Sequence, residues 1–152
     1  MKFWDSSAVV PLLVKEASTT WVVDLYRNDP VLLVWWGTEV ECASALARLE
    51  RVKEISATAS TDAHGRLSAL KKSWQEVQAV ESLRESAIRL LRVHDLHAGD
   101  SLQLAAAIIA SQHRPPTLEF VCLDVRLKAA ARREGFVVPE ESVAARSGEF
   151  GP

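Results

Sequence analysis

Val31-Leu32-Leu33-Val34-Trp35-Trp36 is an uninterrupted apolar run, and Gly37-Thr38 follows it directly. A short run without alternation of polar and apolar residues is typical of a parallel strand that is covered on both faces. Apolar side chains then recur at helical spacing, as at Cys42, Leu46 and Leu49, so we predict a helix to about residue 52. A covered strand followed at once by a helix predicts an α/β fold with a mainly parallel central sheet.

Strand and helix patterns alternate on both sides of this segment. Short apolar strands are predicted at 2–4, 119–123 and 136–138, with a further short strand at 77–80. The other predicted helices span 6–14, 18–27, 56–77, 82–94, 100–111 and 125–134. We therefore expect a single domain over residues 1–140, followed by a mobile C-terminal tail over residues 141–152.

The composition is that of an ordinary globular domain. The 152-residue chain is 48% apolar and 25% charged, with a formal net charge of -2, so no global excess of basic residues indicates a nucleic-acid partner. Its two cysteines, Cys42 and Cys122, have no zinc-binding spacing. The N-terminus lacks a secretory apolar region and no apolar run reaches the length of a membrane span, so we expect a cytoplasmic protein without membrane association.

Four acidic residues occupy similar places along the chain: Asp5, Glu41, Asp100 and Asp124. Each follows an apolar stretch or a turn, and each is predicted to open a helix. In a parallel sheet such positions lie at or beside the carboxyl ends of the strands, where ligands bind. Four carboxylates gathered there repel one another strongly unless a divalent cation neutralises them. Oxygen-only ligands suit Mg²⁺ or Mn²⁺, so the pattern predicts metal-assisted attack on a phosphodiester.

Each acid also has a purely structural interpretation. Asp5, Asp100 and Asp124 could simply cap the helices that begin at them. Glu41 forms a capping-box pattern with Thr38 and could bond back to its amide. The joint pattern favours a site because two of the acids end apolar strands. In addition, Asp100 begins the most apolar helix of the chain, where an ordinary exposed cap is not expected.

The residues around the acids resemble the four motifs of PIN-domain nucleases. The motif-like segments are Asp5–Val10 (DSSAVV), Glu41–Arg48 (ECASALAR), Leu96–Ala107 (LHAGDSLQLAAA) and Phe120–Leu127 (FVCLDVRL). Their order, their spacing and the length of the chain are similar to those of VapC-like toxins from bacterial and archaeal toxin–antitoxin pairs. The resemblance extends over nearly the whole chain, to about Val138.

This resemblance implies a three-layer α/β/α sandwich with Mg²⁺- or Mn²⁺-dependent endoribonuclease activity. By position, it implies that Asp5, Glu41, Asp100 and Asp124 form the catalytic metal site, at which an activated water cleaves RNA to 5′-phosphate and 3′-hydroxyl ends. It further implies that Ser7 orients a carboxylate or a water at the metal. The expected partners are an RNA substrate, a cognate antitoxin protein and a second copy of the chain in a homodimer.

Other interpretations stay open at this stage. A non-catalytic PIN-like module that binds RNA or protein would carry the same motifs, whereas Ser7 disfavours an aspartyl phosphatase, which needs a second acid there. Arg48 lies two turns after Glu41 and could contact a substrate phosphate, tether an acid or lie free at the surface. Glu39 falls on a different face of that helix from Glu41, so we expect it to be solvated. The apolar stripe of the 56–77 helix could pack internally or form a groove for an antitoxin helix.

Overall fold

A computed structural model describes residues 1–142 and places a four-stranded sheet between two layers of helices. The strands are β1 (Lys2–Trp4), β2 (Leu32–Trp35), β3 (Gln75–Val77) and β4 (Phe120–Val121). The helices are α1 (Ser6–Leu13), α2 (Thr19–Asn28), α3 (Thr38–Arg51), α4 (Ala57–Lys71), α5 (Glu81–Val93), α6 (Ala98–Ala110) and α7 (Val125–Arg133). A single 3₁₀ turn, Pro115–Thr117, precedes β4.

The sheet has the strand order β3-β2-β1-β4, and every pair of neighbouring strands is parallel. Phe3 of β1 lies opposite Leu33 on one side and Phe120 on the other. β2 and then β3 are added on one side of β1, whereas β4 pairs with the other side of β1. The gap between β1 and β4 is therefore the topological switch point of the sheet, which is where ligands bind in open α/β folds.

The strands build two hydrophobic cores because successive side chains point to opposite faces. Phe3 and Leu33 belong to the core shared with α5, α6 and α7. Trp4 and Leu32 belong to the core shared with α1, α2, α3 and α4. Phe3 and Trp4 are fully buried, and side chains of their size contribute about 1.5–3 kcal/mol each on burial. The three-layer α/β/α arrangement predicted from the sequence is thus confirmed.

The predicted helix over residues 56–77 is wrong at its C-terminal end. The helix stops at Lys71. The short strand that was expected at 77–80 lies earlier, at Gln75–Val77, where it forms the edge of the sheet and pairs with β2. Trp74 and Val77 are three residues apart, so their spacing extended the helical stripe in the sequence. Pairing with the open edge of β2 satisfies the backbone groups of both segments, and this long-range contact outweighs the local pattern.

Two further boundaries differ from the prediction. The helix expected to open at Asp100 begins at Ala98, so Asp100 lies at the third helical position. The strand predicted at 136–138 is reduced to one parallel bridge between Val137 and Glu119. The predicted tail, residues 141–152, lies outside the described residues from position 143 onward. Within residues 1–142, no helix is both long enough and apolar enough to cross a membrane.

Candidate active site

The switch point between β1 and β4 opens into a cavity of about 360 Å³ that is lined by acidic side chains. Asp5 follows β1 directly, and its backbone N–H donates to the carbonyl of Val121 at 3.0 Å, which fixes the ends of β1 and β4 side by side. Asp100, from the first turn of α6, and Asp124, which precedes α7, line the same cavity. Three of the four acids predicted from the sequence therefore border one space.

Asp5 is the most buried of these acids, with 4% of its surface exposed. Its Oδ2 accepts hydrogen bonds from the Ser7 amide at 3.1 Å and the Ser7 hydroxyl at 2.5 Å, and the Cys122 thiol lies 3.6 Å away. Burial raises the pKa of Asp5 to about 6, although the bonds from Ser7 oppose the rise, and the nearby charge of Glu41 adds to it. The carboxylate is therefore costly to ionise in the absence of a positive partner.

Ser7 connects the two strand ends as well as orienting the carboxylate. Its hydroxyl donates to Asp5 and accepts from the backbone N–H of Leu123 at 2.9 Å. One side chain at the start of α1 is therefore bonded both to the acid after β1 and to the segment after β4. The resemblance implies that Ser7 orients a carboxylate or a water at the metal; its hydroxyl is bonded to Asp5, and its role at a metal stays a prediction.

Glu41 lies on α3 beside the cavity, and its carboxylate is bonded to α6. Its Oε2 accepts a hydrogen bond from Gln103 Nε2 at 2.5 Å, and the same amide nitrogen donates to Thr38 Oγ1 at 3.2 Å. The capping-box interpretation is wrong, because α3 is capped by Gly37 and the Glu41 side chain does not return to Thr38. Burial raises the pKa of Glu41, hydrogen bonds from Gln103 and Ser6 lower it, and the charge of Asp100 raises it.

Glu41 does not belong to the lining of the cavity itself, although it lies close enough to affect Asp5 electrostatically. A Cβ atom added at Gly99 would sit 3.0 Å from Glu41 Oε1. The absence of a side chain at Gly99 therefore lets the Glu41 carboxylate approach the first turn of α6, where Asp100 lies.

The remaining two acids combine a structural and a site-lining role. Asp124 Oδ1 accepts from the Leu127 amide at 2.7 Å and caps α7, and Asp100 Oδ2 accepts from the His97 amide at 3.1 Å in a capping box. Each cap uses one carboxylate oxygen. Within residues 1–142, Asp124 Oδ2 and Asp100 Oδ1 accept no hydrogen bond. The capping interpretation is therefore correct for both residues and leaves one oxygen of each available.

The donor set fits a hard divalent cation in its chemistry, because it consists of carboxylate oxygens around a polar cavity. As the side chains stand within residues 1–142, however, no three His, Cys, Asp or Glu groups are arranged to hold a metal ion. One oxygen each of Asp5, Asp100 and Asp124 is committed to a local hydrogen bond. Binding an ion would thus require these side chains to close around it.

Arg48 and Glu16 also line the cavity. Within the described part of the chain Arg48 forms no ion pair with any acid, so of the three roles left open for it the structure does not support that of a tether. Sequence reasoning missed Glu16, which lies in the irregular segment between α1 and α2 and carried no motif. Burial and the charge of Glu54 raise the pKa of Glu16. Sequence reasoning also did not identify Gln103 as a site residue, although its spacing of three from Asp100 could have indicated one.

Glu39 behaves as expected for a solvated acid. It lies on the outer face of α3 and forms an exposed ion pair with Lys71. The basic residues of α7 also face outward, since Arg126 pairs with Asp95 at 3.8 Å and Arg132 pairs with Glu140. These two cations are paired with acids at the surface and do not line the acidic cavity.

Neither the family models nor the curated proteins include a match to this sequence. Solved structures, in contrast, include similar folds. VapC20 of Mycobacterium tuberculosis, a sarcin–ricin loop cleaving toxin, matches with a TM-score of 0.65 at 17% identity, over 90% of this chain and 97% of that chain. A toxin–antitoxin complex from Klebsiella pneumoniae matches with a TM-score of 0.60 at 12% identity, over 85% and 91% of the two chains.

FitAcB from Neisseria gonorrhoeae matches with a TM-score of 0.59 at 17% identity, over 91% of this chain and 96% of that chain. Each alignment extends over nearly the full length of both chains, so the likeness concerns the whole domain rather than a shared βα unit. At such low identity it establishes architecture and not activity. The chain therefore has the PIN-domain fold of VapC-like toxins.

Proposed function

We propose that this protein is a metal-dependent endoribonuclease that acts as the toxin of a toxin–antitoxin pair. The observation that carries the proposal is the meeting of Asp5, Asp100 and Asp124, from three separate segments, around one cavity at the switch point of a parallel sheet. The similarity of the fold to that of an RNA-cleaving toxin supports the same conclusion. The substrate would be RNA, and the cofactor Mg²⁺ or Mn²⁺.

The residues that would hold the cation are Asp5, Asp100 and Asp124, with Glu41 reached directly or through water. A divalent cation bound there supplies Lewis-acid activation of water for in-line attack on phosphorus. Water adds to phosphorus and the bond from phosphorus to the 3′ oxygen breaks, so the products carry a 5′-phosphate and a 3′-hydroxyl. Asp100 Oδ1 and Asp124 Oδ2, which accept no hydrogen bond within residues 1–142, are the oxygens available to the cation or, on whichever of these two acids does not bind the cation, to the proton of the water.

Arg48 is the residue we assign to the substrate phosphate. It lines the acidic cavity and, within residues 1–142, has no ion-pair partner. A guanidinium can bind two phosphate oxygens at once. Its positive charge would offset the repulsion between the acidic cavity and an RNA backbone.

The direct test is cleavage of total RNA by purified protein with Mg²⁺ or Mn²⁺, beside EDTA. We expect discrete fragments that disappear with EDTA and with Asp5→Asn. A second test variant is Glu41→Gln. Its matched control is Glu39→Gln, which removes the same charge two residues away on the outer face of α3. Glu41→Gln should impair cleavage and Glu39→Gln should not. Equal loss in both variants would contradict a specific role for Glu41.

From the same fold we also propose that the protein binds an antitoxin protein and forms a homodimer. One neighbour is a toxin–antitoxin complex, and the FitAB pair has been solved on DNA. Leu12, Tyr26 and Leu70 line a mostly apolar groove between α1, α2 and α4, which would accept one face of a helix from such a partner. Co-expression with the protein encoded beside this one, followed by co-purification and light scattering, tests both the pairing and the oligomeric state.

The second candidate function is a non-catalytic PIN-like module that binds RNA or protein. One observation favours it, namely that within residues 1–142 no three acidic groups are already arranged to hold a metal ion. Calorimetric titration with Mn²⁺ separates the two functions. A saturable site that Asp5→Asn removes favours the nuclease, whereas RNA binding without cation binding or cleavage favours the module.

A further inference from the structure

Gln103 is a polar side chain in an unusual place. It lies in α6 between apolar neighbours, with 1% of its surface exposed. Both donations from its amide nitrogen go to α3, to Glu41 Oε2 at 2.5 Å and to Thr38 Oγ1 at 3.2 Å. Thr38 is itself fully buried. Gln103 therefore connects the two helices that carry Glu41 and Asp100.

This connection has a cost. The carbonyl oxygen of the Gln103 amide is buried and has no hydrogen-bond partner within the described residues. An unsatisfied buried acceptor destabilises the fold, and a leucine of similar size would avoid that cost in so apolar a helix. Packing alone thus favours an apolar residue at this position. What the amide adds is a fixed donor facing the carboxylate of Glu41.

The geometry defines what that donor does. With Oε2 bound to Gln103, the other oxygen of Glu41 is directed to the first turn of α6, since it lies 3.0 Å from where a Cβ of Gly99 would be. Asp100 belongs to the same turn. If the amide turned over, its carbonyl would face the carboxylate, and two acceptors would repel each other. The carboxylate therefore selects one orientation of the amide, whereas the Thr38 hydroxyl, which can donate or accept, is compatible with that orientation.

We infer that Gln103 is a positioning residue that holds the Glu41 carboxylate in place for the cation and its water. The inference rests on the proposed function and deepens it, because it assigns a role to a residue outside the four acids. Hydrogen-bond partners of metal ligands fix the orientation of those ligands, and their loss costs about 10- to 100-fold in metal affinity or activity. Gln103 acts through Glu41 and does not need to touch RNA.

The central variant is Gln103→Leu, which keeps the approximate volume and removes the donor. We expect the folded variant to bind Mn²⁺ about 10-fold more weakly by calorimetry. If the wild-type protein cleaves RNA, we also expect kcat to fall with little change in KM. Ser101→Ala is the matched control, because Ser101 is equally buried in α6 but its hydroxyl donates to Ala98 at 2.7 Å. Thr38→Val, which removes only the second partner, should weaken Mn²⁺ binding less than Gln103→Leu does.

A positioning role predicts strong coupling between Gln103 and Glu41. In a Glu41→Gln background, Gln103→Leu should cause almost no further loss of Mn²⁺ affinity, whereas independent effects would add. Full additivity, or unchanged Mn²⁺ affinity in folded Gln103→Leu, would overturn the inference. If Mn²⁺ binding follows the expected pattern but the wild type cleaves no RNA, the positioning role stands and the proposed nuclease function fails. If the wild type does not bind Mn²⁺ at all, both fail.

Discussion

Replacing Asp5 with asparagine removes a buried charge, so its effect on stability should depend on pH in protein freed of divalent cations. Burial and the charge of Glu41 raise the pKa of Asp5 from its ordinary value of 3.8 to about 6, against the opposing bonds from Ser7. At about 1.4 kcal/mol per pKa unit, the rise corresponds to roughly 3 kcal/mol of native-state destabilisation once the group is ionised.

The sign follows from proton binding. Well below pH 3.8 the carboxyl is protonated in both the folded and the unfolded chain, and it contributes nothing. Between there and about pH 6 the folded chain binds more protons than the unfolded chain, so stability falls as pH rises. Above that window the full cost is present. The asparagine variant lacks this dependence, and its stability relative to wild type should rise by about 2.5 kcal/mol between pH 4 and pH 8.

The assay is urea unfolding of both proteins in EDTA at closely spaced pH values. An asparagine amide placed in this site adds its own cost of about 1–3 kcal/mol if its N–H groups find no acceptor. That cost does not titrate, so the pH dependence of the difference is the diagnostic quantity rather than its absolute size. At pH 8 an uncompensated gain of about 3 kcal/mol would raise Tm by about 6–12 °C. If the difference in unfolding free energy between the two proteins stays constant from pH 4 to pH 8, Asp5 is not a carboxylate that burial makes costly to ionise.

Three further outcomes are expected. Burial raises the pKa of Glu134, but hydrogen bonds from Arg89 and His94 outweigh it and hold the pKa below its ordinary 4.5. Glu134→Gln should therefore destabilise the protein at pH 7 by about 1–3 kcal/mol, and the loss should shrink as pH falls below 4.5, as measured by denaturant unfolding. Ser7→Ala should lower the free energy of unfolding by about 1–3 kcal/mol, because the Leu123 amide loses its acceptor. Ser7→Thr keeps a hydroxyl and should retain most of the stability in the same assay. Adding Mn²⁺ to EDTA-treated wild type at 100 times its Kd should stabilise it by about 2.7 kcal/mol in thermal unfolding, and an unchanged Tm would argue against a cation site.

The co-location of the acids could be predicted because it depends on topology. Asp5 and Asp124 follow apolar strands, and the carboxyl ends of parallel strands must meet at one edge of the sheet. Neither residue needed a particular side-chain conformation for that argument to hold. The fold class was predictable because the fully apolar segment before α3 is typical of a strand covered on both faces.

The contacts of Glu41 could not be predicted in the same way. Spacing along α3 indicates which helix face it occupies but not which residue of another helix meets it. Its partner, Gln103, is distant in sequence and depends on how closely α6 approaches, which Gly99 helps to permit. β3 was misplaced for a related reason, because an edge strand is defined by the neighbour that it pairs with. Both cases turn on long-range packing that local periodicity does not encode.

The capping roles and the proposed catalytic roles of the acids support one another. The helices α1, α6 and α7 begin beside the acidic cavity, and each brings the positive end of its backbone dipole towards a carboxylate. At Asp100 and Asp124 the start of the helix stabilises the negative charge of the carboxylate, by about 0.3–1 kcal/mol for each helix end. This stabilisation acts against the repulsion from neighbouring acids. This support is smaller than the roughly 3 kcal/mol inferred for Asp5 alone. The folded chain therefore ionises Asp5 at a cost that comes mainly from burial and that the helix ends offset only in part, and the divalent cation that we propose for this site would offset the remainder.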